Sequence, residues 1–161
     1  MTPGLGYLVA LTAIFCEEFV WADTLQTLEQ QHFLRLLAWG GASVLIGTII
    51  LVVFRVARIK GPLATHLAAQ CVIWGAGALL WGGYNYQSVP LRDYEAAASL
   101  ARMLWLVIAL EAGAIVLGST FALFGWAFGK RIGSVGTGVG VVLQAGALLF
   151  LDLSLLRAIH L

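Results

Sequence analysis

Four long runs of apolar residues, separated by short polar stretches, set the pattern of this chain. The runs cover about residues 33–54, 66–85, 100–128 and 135–159. Each is long enough to cross the hydrocarbon core of a bilayer, which takes roughly 20 apolar residues in a helix. The connections after the first and third runs are short, and short turns make neighbouring helices run in opposite directions. The pattern therefore predicts an all-α fold, a transmembrane antiparallel four-helix bundle.

A fifth, shorter apolar stretch precedes the four runs. Residues 3–16 carry no charge, are too few for a full span and are typical of a signal-peptide core. The match is imperfect, because no Lys or Arg precedes that core and Glu17 and Glu18 follow it. We interpret residues 1–22 as either a signal sequence or an additional short hydrophobic helix. Residues 23–161 then form a single four-helix domain, with Asp23 expected as the N-cap of its first helix.

The composition agrees with a lipid environment. Of the 161 residues, 61% are hydrophobic and 11% are charged, whereas a soluble domain has roughly 25% charged residues. A soluble fold of this size could not bury so much apolar surface, so the lipid bilayer is the first expected partner. The net charge of +1 gives no basis for a nucleic-acid partner.

Basic residues orient the predicted bundle. The two short turns hold five of them and no acid: Arg55, Arg58, Lys60, Lys130 and Arg131. By the positive-inside rule, the turns at residues 55–62 and 129–134 are cytoplasmic. The loop at residues 86–99 and the carboxy terminus then lie outside. We expect a multi-pass protein of a bacterial inner (cytoplasmic) membrane.

Spans one and two repeat one pattern, in which a His is followed by Trp-Gly about two turns later and by another Gly after two more turns. The residues are His32, Trp39-Gly40 and Gly47 in span one, and His66, Trp74-Gly75 and Gly82 in span two. Small residues at such spacing let helix backbones approach closely in lipid, so we interpret the repeat as a packing device. Antiparallel spans would separate the two histidines by about 30 Å. They could not bind one iron, and we predict no metal, haem or other cofactor.

Glu111 is the residue with the clearest chemical potential. It lies near the middle of span three, and an intramembrane carboxylate is costly unless it faces a cavity or the bundle interior. A functional site and a structural hydrogen bond, for example with Gln144, both remain open. Asp152 of span four is expected to form a structural ion pair with Arg35, which enters from the same side. The candidates for binding a ligand or a proton are Glu111, Gln144, Asp152, Arg35 and His32, and a second polar set is His66 and Gln70.

These polar positions also carry a resemblance. The chain contains His32-x-x-Arg35-Leu-Leu-x-Trp39-Gly40-Gly41, His66-x-x-x-Gln70-x-x-x-Trp74-Gly75, Glu111 before Gly118, and Gly138-x-Gly140-x-x-x-Gln144-x-Gly146-x-x-x-x-x-Asp152. In these motifs it resembles a family of uncharacterised small bacterial four-helix integral membrane proteins. The resemblance implies the fold and a signal-like amino-terminal segment, but no activity, substrate or cofactor. The chain departs from the family pattern where Asn is expected within spans one to three, and Ser43, Ala78 and Ala109 lie near those places.

No nucleophile elbow, phosphate-binding loop or zinc-protease motif occurs in the sequence. We therefore predict a non-enzymatic membrane protein that binds a ligand or a partner between its helices, or that serves as an accessory subunit of a membrane complex. Its protein partner would be another membrane subunit or a second copy of the chain. The alternative is a small proton- or cation-coupled transporter that uses Glu111 as its protonatable group.

Overall fold

Four α-helices joined by short connections account for residues 3–129 and 131–159, the part of the chain that the computed structural model describes, with side chains described from residue 23 onward. The helices are α1 (Pro3–Val56), α2 (Pro62–Tyr86), α3 (Tyr94–Ala127) and α4 (Ile132–Ile159). No strand occurs in these residues. Each helix contains a segment long and apolar enough to cross a membrane, which in α1 is Asp23–Val56. The prediction of an all-helical chain with four such segments is confirmed.

Helix α1 begins earlier than the sequence predicts. Asp23 lies inside the helix rather than at its N-cap, and its backbone carbonyl accepts a hydrogen bond from the Thr27 hydroxyl at 3.0 Å. The predicted boundary after residue 22 therefore coincides with no break in the helix. The side chains of residues 3–22, Lys130 of the predicted basic turn and His160 lie outside the described residues.

Local hydrogen bonds and backbone geometry fix two further helix boundaries, the end of α1 and the start of α3. Arg58, in the left-handed region at φ 53°, lets the chain turn away after α1, and the amide of Ile59 donates back to the carbonyl of Phe54 at 3.0 Å. The Asp93 carboxylate caps α3 by accepting from the amide of Ala96 at 2.8 Å. Helix α3 consequently starts at Tyr94, about one and a half turns before the predicted start of span three.

Glycines hold α1 and α2 in close contact. A Cβ atom on Gly40 would lie 2.8 Å from the carbonyl oxygen of Gly75, and one on Gly75 would lie 2.8 Å from that of Gly40. Nearer the turn, a Cβ atom on Gly47 would lie 2.7 Å from the carbonyl oxygen of Ala68. The repeated Trp-Gly pattern thus marks the place where the backbones of α1 and α2 meet, as its interpretation as a packing device requires.

Helix α4 packs in the same way against two helices. The backbones of Gly118 in α3 and Gly138 in α4 are in direct contact, and a Cβ atom on either glycine would meet the other's carbonyl oxygen. On the α2 side, Gly136 lies directly against the backbone of Leu63, so that the two helix starts are adjacent. The two short turns, residues 57–61 and 128–131, consequently share one end of the bundle, here named the turn end.

The four helices are not packed evenly. Helix α4 makes close backbone contacts with all three others and α1 with α2, whereas α3, in the described residues, makes them with α4 alone. An opening therefore runs between α2 and α3, which we name the α2–α3 cleft. The bundle end that carries residues 87–93, the connection between these two helices, is named the loop end.

Candidate functional site

Three ionisable side chains from three different helices meet in the half of the bundle nearer the loop end. They are His32 of α1, Glu111 of α3 and Asp152 of α4, with exposed fractions of 6%, 6% and 7%. The other residues around them are mostly apolar. Buried ionisable groups among membrane-length helices are costly unless they pair with one another or serve a function, so this cluster is the candidate site.

The His32 ring is held by Asp152. Its Nε2 atom lies 3.1 Å from Oδ1 of Asp152, close enough for the ring to donate a hydrogen bond to the carboxylate. With the proton on Nε2, the other nitrogen of a neutral imidazole is an acceptor. That atom, Nδ1, is buried and has no hydrogen-bond partner.

Glu111 lines the same cavity as Asp152, so that two carboxyl groups from α3 and α4 face one space. The second carboxyl oxygen of Glu111, Oε2, is buried without a partner. Since nearly all buried polar atoms in proteins are hydrogen-bonded, two orphaned atoms in one cluster, Oε2 of Glu111 and Nδ1 of His32, are a feature that needs an explanation.

A cavity explains where a partner for these atoms could lie. It has a volume of about 490 Å³, and all three ionisable residues line it. Apolar and aromatic side chains from every helix form the remaining wall: Leu36, Ile73, Trp74, Ala78, Trp81, Val107, Leu110 and Leu148, with Gly77 between them. Ile73 and Leu110, one on each side of the α2–α3 cleft, are 64% and 74% exposed. The cavity is therefore open through the cleft toward the outside of the bundle.

Arg35 does not join this cluster. It is exposed and lines a separate groove on the α1–α4 side, with Trp39 and Phe150. The expected ion pair between Arg35 and Asp152 is therefore wrong, and His32 takes the place of the arginine. His32 and Arg35 are less than one turn apart on α1, and the crossing of α1 over α4 decides which of them faces Asp152.

Gln144 also has different partners from those expected. Its Oε1 atom accepts from the Trp39 indole N–H at 3.0 Å, and its amide nitrogen donates to the Ser43 hydroxyl at 3.3 Å. The expected bond to Glu111 is wrong, because these two α1 side chains hold the amide. Gln144 therefore connects α4 to α1.

The second polar set, His66 and Gln70, lies near the turn end. Nδ1 of His66 is 3.3 Å from the Thr137 hydroxyl, and Oε1 of Gln70 accepts from the Trp74 indole N–H at 3.1 Å. Thr137 and Asp152 are fifteen residues apart on α4, or about 22 Å at 1.5 Å per residue. The two histidines therefore lie in separate places, as the expected topology requires, and the described residues contain no group of His, Cys, Asp and Glu arranged to hold a metal ion.

An ion pair that the sequence did not reveal lies beside the site. Arg92, in the connection before α3, donates from Nε and Nη2 to the two carboxylate oxygens of Glu29 at 2.6 and 3.0 Å. Glu29 is 1% exposed and lies three residues before His32 on α1. Gln26, one turn earlier, donates to the carbonyl of Val89 at 3.0 Å. The sequence shows Arg92 as the one basic residue of the connection between α2 and α3, but no local pattern identifies its partner.

Comparison with known proteins adds no further assignment. The chain matches no family model, no curated protein and no solved structure. The resemblance described from its motifs therefore stays a prediction.

Proposed function

We propose that this chain is a multi-pass, non-enzymatic membrane protein that binds a small molecule in the cavity behind the α2–α3 cleft. The observation that carries the proposal is that His32 and Glu111, each with a buried atom that lacks a hydrogen-bond partner (Nδ1 and Oε2), both line a cavity of about 490 Å³. A ligand with matching hydrogen-bonding groups would satisfy both atoms and recover the free energy lost by leaving them unpaired.

The form of the cavity supports this function. Small-molecule sites have volumes of roughly 300–1,000 Å³, mostly apolar walls and a few converging polar groups. Here the polar groups sit together at one place and the aromatic rings of Trp74 and Trp81 form part of the wall. A purely structural role for Glu111 would leave Oε2 without a reason to be buried and unpaired.

The arrangement in the membrane is part of the proposal. The pairs Gly47 with Ala68, Gly40 with Gly75 and Leu37 with Gly82 follow α1 and α2 in opposite directions, which supports an antiparallel bundle. With the basic turn end in the cytoplasm, the loop end lies outside a bacterial inner membrane. Whether residues 1–22 are a cleaved signal or a retained helix stays a prediction. The binding of a partner subunit or of a second copy of the chain also stays a prediction.

Two glycines provide a matched test. Gly77 lines the cavity and Gly113 of α3 does not, and a Cβ atom on either would meet no atom within 4 Å. We expect Gly77→Trp to fill the cavity without moving the backbone, while Gly113→Trp leaves it open. The experiment measures the melting temperature of both variants and the wild type in nanodiscs against a panel of neutral, anionic and cationic small aromatic molecules.

A bound ligand raises the melting temperature because it stabilises only the folded protein. The proposal expects at least one compound to stabilise the wild type and Gly113→Trp but not Gly77→Trp. If no compound separates the two variants, the cavity is not a binding site and the proposal fails.

The second candidate, a proton- or cation-coupled carrier, is favoured by one observation. Glu111 and Asp152, two acids on membrane-length helices, line the same cavity, which is open on one side. A carrier would load its substrate as the proton leaves. Proteoliposomes with a pH gradient test this function, since substrate uptake should stop in Glu111→Gln, and binding without uptake in the wild type would exclude it.

A further inference from the structure

We propose that the ligand of this cavity is a lipophilic amine, bound as its ammonium ion between Glu111 and His32. The inference rests on the proposed binding function and narrows its ligand to one chemical class.

The charges around the cavity call for a cation. Two carboxyl groups, Glu111 and Asp152, face it with a single imidazole, His32. The arginines of α1 and of the loop are engaged elsewhere, because Arg35 lines the groove between α1 and α4 and Arg92 pairs with Glu29. Helix α2 contributes no titratable side chain to the cavity wall. In a low-dielectric site, an ammonium ion is the complement of the second carboxylate.

The unpartnered atoms select a cation that carries N–H groups. Oε2 of Glu111 is an acceptor when the carboxyl is ionised, and Nδ1 of His32 is an acceptor when Nε2 donates to Asp152. A primary ammonium ion has three N–H donors, enough to offer one to each of these acceptors. A quaternary ammonium ion has the charge but no donor, and a simple alcohol has one donor and no charge.

The walls select a ligand with an apolar body. The Trp74 indole N–H already donates a hydrogen bond to Gln70. The Trp74 ring therefore presents an aromatic surface to the cavity and needs no hydrogen-bond acceptor from the ligand. Trp81 provides a second ring on the same helix. Aromatic faces attract cations as well as apolar groups, so both parts of a lipophilic amine are accommodated.

The opening indicates how such a ligand would arrive. The α2–α3 cleft is bordered by Ile73 and Leu110, whose exposed apolar side chains would face lipid in a membrane. An amine that partitions into the bilayer can therefore enter sideways, without passing either end of the bundle.

Binding exchanges one positive charge for another. In this proposal one of the two carboxyl groups that line the cavity carries a proton before the amine binds, because two like charges in a low-dielectric site are costly. That proton departs to water when the ammonium ion pairs with Glu111, and the amine brings its own charge. The titratable groups that face this exchange are His32 from α1 and Asp152 from α4. We expect about one proton to be released per amine bound, which calorimetry in buffers of different ionisation enthalpy measures.

The deciding experiment uses the full chain in nanodiscs of uncharged phosphatidylcholine. Calorimetric titration compares 2-(1-naphthyl)ethylamine with 2-(1-naphthyl)ethanol, which has the same body and no charge, and empty nanodiscs give the partitioning background. We expect the amine to bind the wild type at least about tenfold more tightly than the alcohol, the value of a charge-assisted hydrogen bond. Gly77→Trp should abolish the binding of both, and Gly113→Trp should preserve it.

Glu111→Gln sharpens the assignment, because it keeps the shape and removes the charge. The amine should lose at least about tenfold in affinity, while the alcohol changes by less than about twofold. If this variant does not fold, the ratio of amine to alcohol on the wild type alone decides.

The outcomes separate this inference from the function on which it rests. Equal affinities for amine and alcohol, both lost in Gly77→Trp, would overturn the amine assignment and leave a binding cavity. The trimethylammonium analogue of the amine has the charge but no N–H donor. If it binds the wild type as tightly as the amine does, the N–H contacts to Glu111 and His32 are refuted. Binding of any of these molecules that is unaffected by Gly77→Trp would overturn both proposals.

Discussion

The two halves of the bundle solve the same problem of helix contact in opposite ways. Toward the turn end, glycines such as Gly47, Gly136 and Gly138 bring helix backbones into direct contact. Toward the loop end, buried apolar side chains of α3 and α4, among them Leu104 and Leu155, pack against each other, and polar side chains of three helices line the cavity behind the α2–α3 cleft. The ionisable cluster thus lies in the half where side chains, and not glycine backbones, make the contacts between helices.

The strongest expected effect concerns the ion pair between Arg92 and the buried Glu29 carboxylate. Arg92→Gln would leave the Glu29 carboxylate, which is 1% exposed, buried without its partner, and we expect a loss of about 3 kcal/mol in the free energy of unfolding. An SDS titration followed by tryptophan fluorescence measures this change. The double variant Glu29→Gln/Arg92→Gln should recover more than half of the loss. Arg102→Gln, at an exposed position of α3, is the control and should stay within about 0.5 kcal/mol.

A single added methyl group should destabilise the turn-end half of the bundle. In Gly138→Ala the new Cβ atom would lie 2.6 Å from the backbone nitrogen of Ala122, so α3 and α4 must move apart, at about 2 kcal/mol. Gly146→Ala in the same helix meets no atom within 4 Å and should be neutral, or more stable by up to about 1 kcal/mol. Equal effects of the two substitutions in the SDS titration would contradict the tight packing of this half.

Substitution of the two histidines, one in each half of the bundle, compares the stability that the same type of residue contributes in the two halves. His32→Ala removes the partner of a buried carboxylate, Asp152, and should cost about 2 kcal/mol. His66 is exposed and lies beside the Thr137 hydroxyl and Gly133, so His66→Ala should cost less than about 0.5 kcal/mol. The melting temperatures of the two variants in the same detergent give the comparison, and a larger loss for His66→Ala would reverse it.

The smallest expected effect is at the junction between the halves. Gln144→Leu removes the bond from Trp39 and should cost about 1 kcal/mol, since interhelical hydrogen bonds in membranes are individually weak. Trp39→Phe removes the same bond from the other side. The double variant should therefore be no less stable than the worse single variant, whereas fully additive losses would show that the two side chains act independently.

The sequence predicted the helices well, because membrane-length apolar runs are a strong and local signal. It predicted less about their ends. The α1 boundary was misplaced because Asp23 followed by Gln26 has the spacing of a capping pair, yet the helix continues through it from Pro3. A local pattern of this kind cannot reveal that the preceding residues are also helical.

The polar cluster shows the same division between local and long-range information. Burial of Glu111 and Asp152 follows from their position in apolar helices. The partners do not follow, because a shift of one turn decides between His32 and Arg35. Gln144 was predicted to face Glu111, but an indole N–H from Trp39 competes for it. The outcome depends on where glycines let the helices cross, and that placement is a property of pairs of helices.

The position of α3 has a consequence for how the protein is made. Synthesised before α4, α3 has no close backbone neighbour among the helices already present, since its close contacts are with α4 alone. It must therefore reside in the bilayer on the strength of its own apolar residues, with Glu111 lacking Asp152 until the last helix is inserted. The insertion cost of one acid, roughly 3 kcal/mol, is offset by several Leu, Ile, Val and Phe residues at about 0.3–0.6 kcal/mol each. This order of synthesis favours a long and apolar α3, and among the described residues it is one of the two longest segments that could cross a membrane.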